Sequence, residues 1–126
     1  MTNIVALNHV SLLVRDTARA LEFYQGLLGL EVDESRPQMD FHGAWLVVGM
    51  AQIHLLEIPP ATATADLPVH GGRDRHVALE VVDLGALEAA LAAAGVPYTP
   101  SRSGRRALFC RDPDGNAVEL VEIAAG

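Results

Sequence analysis

The sequence contains no lysine, so each of its nine fixed positive side chains is an arginine; against sixteen Asp and Glu residues they leave a formal net charge of −7. An acidic surface lacks the sequence-independent grip on phosphate backbones that a basic one provides, which excludes nucleic acid as the expected partner. There is one cysteine, Cys110, which excludes an internal disulfide and suits a small buried hydrophobe in a reducing compartment. No run approaches the roughly 18 apolar residues that would span a bilayer. The opening MTNIVALNHV also lacks a basic stretch followed by an apolar one and a cleavage site. The expectation is a cytoplasmic protein with no membrane partner.

What the chain does have is a repeat. It is 126 residues long, half of them hydrophobic and a fifth charged, the composition of one folded domain over residues 1–126. NHVSLLVRD at 8–16 is echoed by RHVALEVVD at 75–83, which sets His9 on His76, Val10 on Val77, Leu12 on Leu79, Val14 on Val81 and Asp16 on Asp83. Each copy reads as a strand whose aspartate caps a helix: Leu21, Tyr24, Leu27 and Leu28 form the first helical stripe, and Leu84, Leu87 and Leu91 the second. Gly29 and Gly95 end the helices.

Three shorter extended pieces follow each helix. LEVDES, GAWLVVG and AQIHLLEI complete a first half of about 4–58, whose opening strand-like run covers 4–14; VPYTP, RRALFCR and NAVELVEI complete a second half of about 75–123. DPDGN at 112–116 carries the Pro, Asp and Gly of a tight turn and predicts a hairpin, with a weaker counterpart at Gly49 and Met50. Residues 59–74, rich in Pro, Ala, Thr and Gly, read as a connector. A half of about sixty residues is too small to bury a sheet face alone, so the two halves cover each other or a partner chain.

Strand alternation puts Val10, Leu12 and Val14 on the helix side of the first strand and His9, Ser11 and Leu13 on the other; in the second copy His76, Ala78 and Glu80 take that opposite face. HLLEI at 54–58 echoes ELVEI at 119–123 and matches His54 with Glu119. A pseudo-twofold axis between the halves would bring His9, His54, His76 and Glu119 together, and imidazole and carboxylate are donors for a divalent transition metal. His42 and His70 have no repeat partner and read as ordinary loop histidines. The cluster SRSGRRA holds Arg102, Arg105 and Arg106; it suits an anionic substrate, and equally a chain in which arginine simply replaces lysine.

NHVSLLVRD…ALEFYQGLLGLEV, RHVALEVVD and FCRDPDGNAVELVE together resemble the vicinal oxygen chelate superfamily, which includes lactoylglutathione lyases, fosfomycin thiol-transferases, extradiol dioxygenases and bleomycin-binding proteins. The resemblance implies an α+β fold of two βαβββ modules, their strands curled into a cup-shaped, eight-stranded mixed sheet with helices on its outer face. It implies one divalent transition metal (Zn, Ni, Co, Mn or Fe) held by His9, His76 and Glu119. A fourth position, a glutamate in bacterial lactoylglutathione lyases, is His54 here. That leaves Glu119 without a second carboxylate for symmetric proton transfer. The family's tyrosine before the terminal turn is Phe109.

The implied activity is that of a glyoxalase-like lyase or isomerase acting on a small oxygenated substrate through a metal-stabilised enolate or oxyanion, with Glu119 as ligand and proton carrier and Glu80 as a weaker candidate base. Two other readings stay open. One is an extradiol-like dioxygenase with a His9, His76 and Glu119 iron triad; the other is a small-molecule or antibiotic-binding resistance protein without turnover. Trp45, Arg102 and Arg105 are candidate substrate contacts because they sit on or beside cup-forming strands, and Arg73 and Arg75 fall near the rim. A homodimer is expected, since an open cup leaves strand edges and apolar surface to cover. The metal site then lies within one chain or is shared between two.

Overall fold

The computed structural model describes residues 2–124; Met1, Ala125 and Gly126, the outermost positions of the expected domain, lie outside the described residues. The first half runs β1 (His9–Val14), α1 (Thr17–Leu21), β2 (Glu31–Val32), β3 (Gly43–Val48) and β4 (Ala51–Glu57). The second runs β5 (His76–Val81), α2 (Leu84–Ala93), β6 (Tyr98–Pro100), β7 (Ala107–Arg111) and β8 (Ala117–Glu122). Each half forms a mixed four-stranded sheet, ordered β1-β4-β3-β2 and β5-β8-β7-β6. β1 is parallel to β4 and β5 to β8, while the remaining neighbours are antiparallel hairpin partners. The α+β expectation stands, with one refinement: among the described residues no ladder joins the two sheets, so the eight strands are two sheets of four.

The caps follow the sequence. Asp16 accepts the Arg19 N–H at 3.2 Å and Asp83 the Ala86 N–H at 3.1 Å. A second acceptor comes from the last strand of each sheet, where Glu57 takes the Thr17 N–H and Glu122 the Leu84 N–H, both at 2.9 Å. The glutamate shared by HLLEI and ELVEI is therefore a helix cap, satisfying one of the N–H groups that a helix start leaves unpaired. The turns at Gly29, Gly49, Gly95 and Gly115 all have positive φ, which a side chain would strain.

Two expectations shift. The first strand begins at His9 rather than Ile4; Ile4, Val5 and Leu7 run exposed before it without a ladder partner. The first helix continues as a π-helical segment, Glu22–Leu27, with a wide bond from the Leu28 N–H to the Phe23 carbonyl. That wider turn sends two consecutive aromatics, Phe23 and Tyr24, into the core, where a regular helix would have buried Tyr24 with the leucines alone.

One apolar cluster spans both halves, joining Ala20, Tyr24, Leu46, Ile53 and Leu55 to Leu84, Leu91, Leu108, Val118 and Leu120. The halves are also pinned through the β7–β8 turn. Buried Asp112 accepts the Tyr24 hydroxyl at 2.7 Å, the Asn116 Nδ2 at 2.9 Å and the N–H groups of Asp114 and Asn116. Asn116 Nδ2 also donates to the Leu13 carbonyl, and Asp114 accepts from the Arg15 backbone and guanidinium. The connector carries short 3-10 turns at Thr64–Asp66 and Gly71–Arg73 and lies across the second sheet: a Cβ on Gly71 would stand 3.2 Å from that of Ala117. No described helix is long and apolar enough to cross a membrane.

Candidate functional site

On the first sheet, His54 of β4 stands opposite Ser11 of β1 and Trp45 of β3. Side chains on one pleat face are neighbours, and here three rings form a stack: His54 lies on Trp45 with centroids 4.3 Å apart and planes 7° apart, and His9 lies on His54 at 4.0 Å and 14°. His9, at the exposed end, has its Nδ1 2.7 Å from Asn8 Oδ1, which leaves Nε2 as its lone-pair nitrogen. His54 Nε2 is 2.8 Å from Gln52 Oε1. Burial, then the neighbouring charges of His9 and Arg36, lowers the His54 pKa and keeps the ring neutral at pH 7.

The stack bears on metal ligation. An ion bound by imidazole lies in the ring plane, about 2.0–2.1 Å from the nitrogen. Planes inclined by only 14° and offset by a stacking distance do not meet within that reach. As stacked, the two rings are not aimed at one common point.

The second sheet carries the matching pair. Glu119 of β8 is opposite Ala78 of β5 and Phe109 of β7, so Phe109 occupies the place that Trp45 has on the first sheet. Glu119 is buried, 3 % exposed, yet one oxygen accepts from Arg105 at 3.2 Å and the other lies 3.5 Å from His76 Nε2. His76 Nδ1 is 2.9 Å from the Asp74 carbonyl, an obligate acceptor, so Nδ1 carries a proton and Nε2 is the nitrogen that faces Glu119. Two atoms bound to one ion at about 2.0–2.2 Å stand about 3.0–3.4 Å apart. The His76–Glu119 spacing is close to that of two ligands flanking a cation, and both donors are of the right type.

Asp74 is in turn held by Arg111 at 2.8 Å, and Arg111 also bonds the carbonyls of Gly115 and Pro68, tying the connector to the β7–β8 hairpin. Phe109 makes steeply inclined, T-shaped contacts with both His76 and His70, each with centroids 5.0 Å away, and His70 bonds Thr99. β1 and β5, each an edge strand of its sheet, line a cleft of about 410 Å³ together with Pro60–Thr62 of the connector, Arg75 and Asn116.

The structure thus gathers the four metal candidates as two pairs on separate sheets, His9 with His54 and His76 with Glu119. Among the described residues no three His, Cys, Asp or Glu side chains gather at one point, so the expected four-way meeting does not occur within one chain. Of the candidate substrate contacts, Trp45 lies on His54 and Arg105 on Glu119, while Arg102 is exposed in the bend before β7. Glu80 is exposed opposite Val121, on the same face of the sheet as Glu119 and one pleat further along. Sequence reading missed Gln52 and Asp33 behind His54; alternation alone would have put Gln52 on the face of His54, two residues before it. It also left His70 aside, and nothing local to the connector signals that it folds onto Phe109.

A family model described as the Glyoxalase/Bleomycin resistance protein/Dioxygenase superfamily matches residues 6–120. A curated relative, Glyoxylase I 4 of Arabidopsis thaliana, is 32 % identical over 124 residues, covering 94 % of this chain and 71 % of its own. The lactoylglutathione lyase of Agrobacterium tumefaciens has a similar structure, with a TM-score of 0.65, 23 % identity and 96 % of each chain covered. The fosfomycin resistance protein FosX of Listeria monocytogenes aligns with a TM-score of 0.74 at 19 % identity, covering 94 % of this chain and 91 % of that one.

Proposed function

The chain belongs to the glyoxalase/bleomycin resistance protein/dioxygenase superfamily, and from that premise we propose that it is a metal-dependent lyase or isomerase of glyoxalase type, acting on a small oxygenated substrate. The observation that carries this reading is the His76–Glu119 pair: an imidazole nitrogen and a buried carboxylate oxygen, 3.5 Å apart and each residue fixed from behind. The likeness to Glyoxylase I 4 supports the reaction class.

In this reading His76 Nε2 and Glu119 hold the cation from the second half of one copy, and His9 Nε2 holds it from the first half of another. Separation of the pairs onto two sheets supports a site shared in a homodimer, as does the exposure of His9 on an open face. A divalent cation there supplies Lewis-acid stabilisation of negative charge developing on substrate oxygens. The chain's own residues do the rest. Arg105 holds one oxygen of Glu119 and fixes the direction of the other, and Glu119 carries the proton between neighbouring substrate carbons. Trp45 and Arg105 contact the substrate from either half.

The His54 stack favours a second reading. With His54 off the ion, two histidines and one carboxylate remain, the donor set of non-haem iron oxygenases, so an extradiol-like dioxygenase is the runner-up. Metal analysis of protein purified without chelator, paired with assays on the methylglyoxal hemithioacetal and a catechol panel, separates the two. Stoichiometric zinc, nickel, cobalt or manganese with hemithioacetal turnover is expected. Ferrous iron with ring cleavage selects the dioxygenase, and no metal uptake with no turnover leaves a binding protein.

A further inference from the structure

His54 is the end of a hydrogen-bond relay whose direction can be worked out from its other end. Asp33, just after β2, accepts the Ser35 N–H at 2.9 Å and the Ser35 hydroxyl at 2.7 Å on Oδ1, and the Gln52 side chain at 2.7 Å on Oδ2. Those bonds, the Ser35 hydroxyl foremost, lower its pKa, so near neutral pH Asp33 is an ionised carboxylate that only accepts. Gln52 must therefore turn its NH₂ to Asp33, which leaves its carbonyl oxygen to face His54. A carbonyl only accepts as well, so the nitrogen 2.8 Å from it, His54 Nε2, must carry the ring proton.

Nδ1 is then the unprotonated nitrogen of a ring that is stacked on both faces. It has no hydrogen-bond partner among the described residues, and the single buried side-chain polar atom left without one is Thr17 Oγ1, so Nδ1 is open to solvent. We infer that Asp33 and Gln52 are positioning residues which fix His54 as the Nε2–H tautomer and present its Nδ1 as a hydrogen-bond acceptor on the open face of the first sheet. A group meeting Nδ1 there must take its lone pair, as a hydroxyl hydrogen or a cation does, so this point on the face rejects a bare carbonyl. The relay stands apart from the metal reading, since none of its three members is a ligand in the proposed site.

The test is the tautomer itself. Long-range proton–nitrogen correlation spectra of the ¹⁵N-labelled chain report which ring nitrogen is protonated, and His54→Gln identifies the His54 signals. The wild type is expected to show protonated Nε2 and unprotonated Nδ1. Asp33→Asn, two hydrogen bonds away, keeps an oxygen for the Ser35 N–H and so turns its NH₂ to Gln52; Gln52 then presents its own NH₂ to His54, whose tautomer should shift toward protonated Nδ1 while the amide spectrum stays folded. Gln52→Leu, which removes the acceptor and leaves Asp33 bonded to Ser35, should give a mixture of tautomers and serves if the first variant does not fold. Protonated Nδ1 in the wild type overturns the inference, as does an unchanged tautomer in every folded variant.

Discussion

At the scale of single residues, the second half-site depends on two atoms held from behind, and each has its own consequence. His76→Ala removes an ion-facing nitrogen and Glu119→Ala an ion-facing oxygen. In the proposed site either change should abolish metal retention after gel filtration, measured by elemental analysis, while far-UV circular dichroism stays that of the wild type. Full occupancy in both variants would remove the ligand assignment. Cys110 behaves oppositely: its thiol is pushed up to about 12, by burial first and then by the charge of Asp112. Native protein at pH 8 should leave iodoacetamide unreacted over hours and react fully in denaturant, as read by mass spectrometry. The sequence supplied the types and the alternation for His9, His54, His76 and Glu119. It had no way to supply rotamers, and the rotamers are what place His54 between Trp45 and His9.

Elements carry the coupling between halves. The β7–β8 turn was legible as a hairpin because Pro, Asp and Gly encode it locally. That Asp112 would also receive the Tyr24 hydroxyl was not legible, because Tyr24 reaches it only after the helix widens into a π turn 88 residues earlier. Tyr24→Phe deletes a hydrogen bond to a buried carboxylate whose pKa burial already raises. It should cost about 1.5–3 kcal/mol in denaturant unfolding with little change in the m-value.

The connector is held by a second such contact. Asp74 has its pKa lowered, chiefly by the Arg111 hydrogen bond, with smaller help from the Arg75 N–H and the charges of Arg111 and Arg75 against some burial. A depressed carboxylate contributes its full stability above the unfolded value, about 3.8, and loses it as pH falls through the folded one. The connector should therefore loosen only on acidification below that value, seen as shifts of the Arg75 and His76 amides in a titration. Asp74→Asn should show the loosened positions already at pH 6.

For the whole molecule, the open first face and the separated pairs make association the decisive question. Sedimentation at micromolar concentration should give twice the 13.4 kDa chain mass. His9→Ala and His76→Ala chains, each unable to hold metal alone, should regain metal when mixed, because one heterodimeric site then keeps all its ligands. A monomer, or a mixture that binds nothing, would return the site to a single chain.

The sequence by itself determined the doubling, the order strand–helix–three strands in each half, the aspartate caps, the glycine stops and the β7–β8 turn. The doubling is an echo between distant segments, 8–16 and 75–83; the rest depends on spacing within about ten residues, where backbone geometry and hydrophobic periodicity act directly. Only the tertiary structure decided that among the described residues no ladder joins the two sheets, that the connector lies over Phe109, that Trp45, His54 and His9 stack, and that Asp33 reaches His54 through Gln52. Those outcomes depend on how side chains from distant strands share one volume, and local spacing carries no record of that.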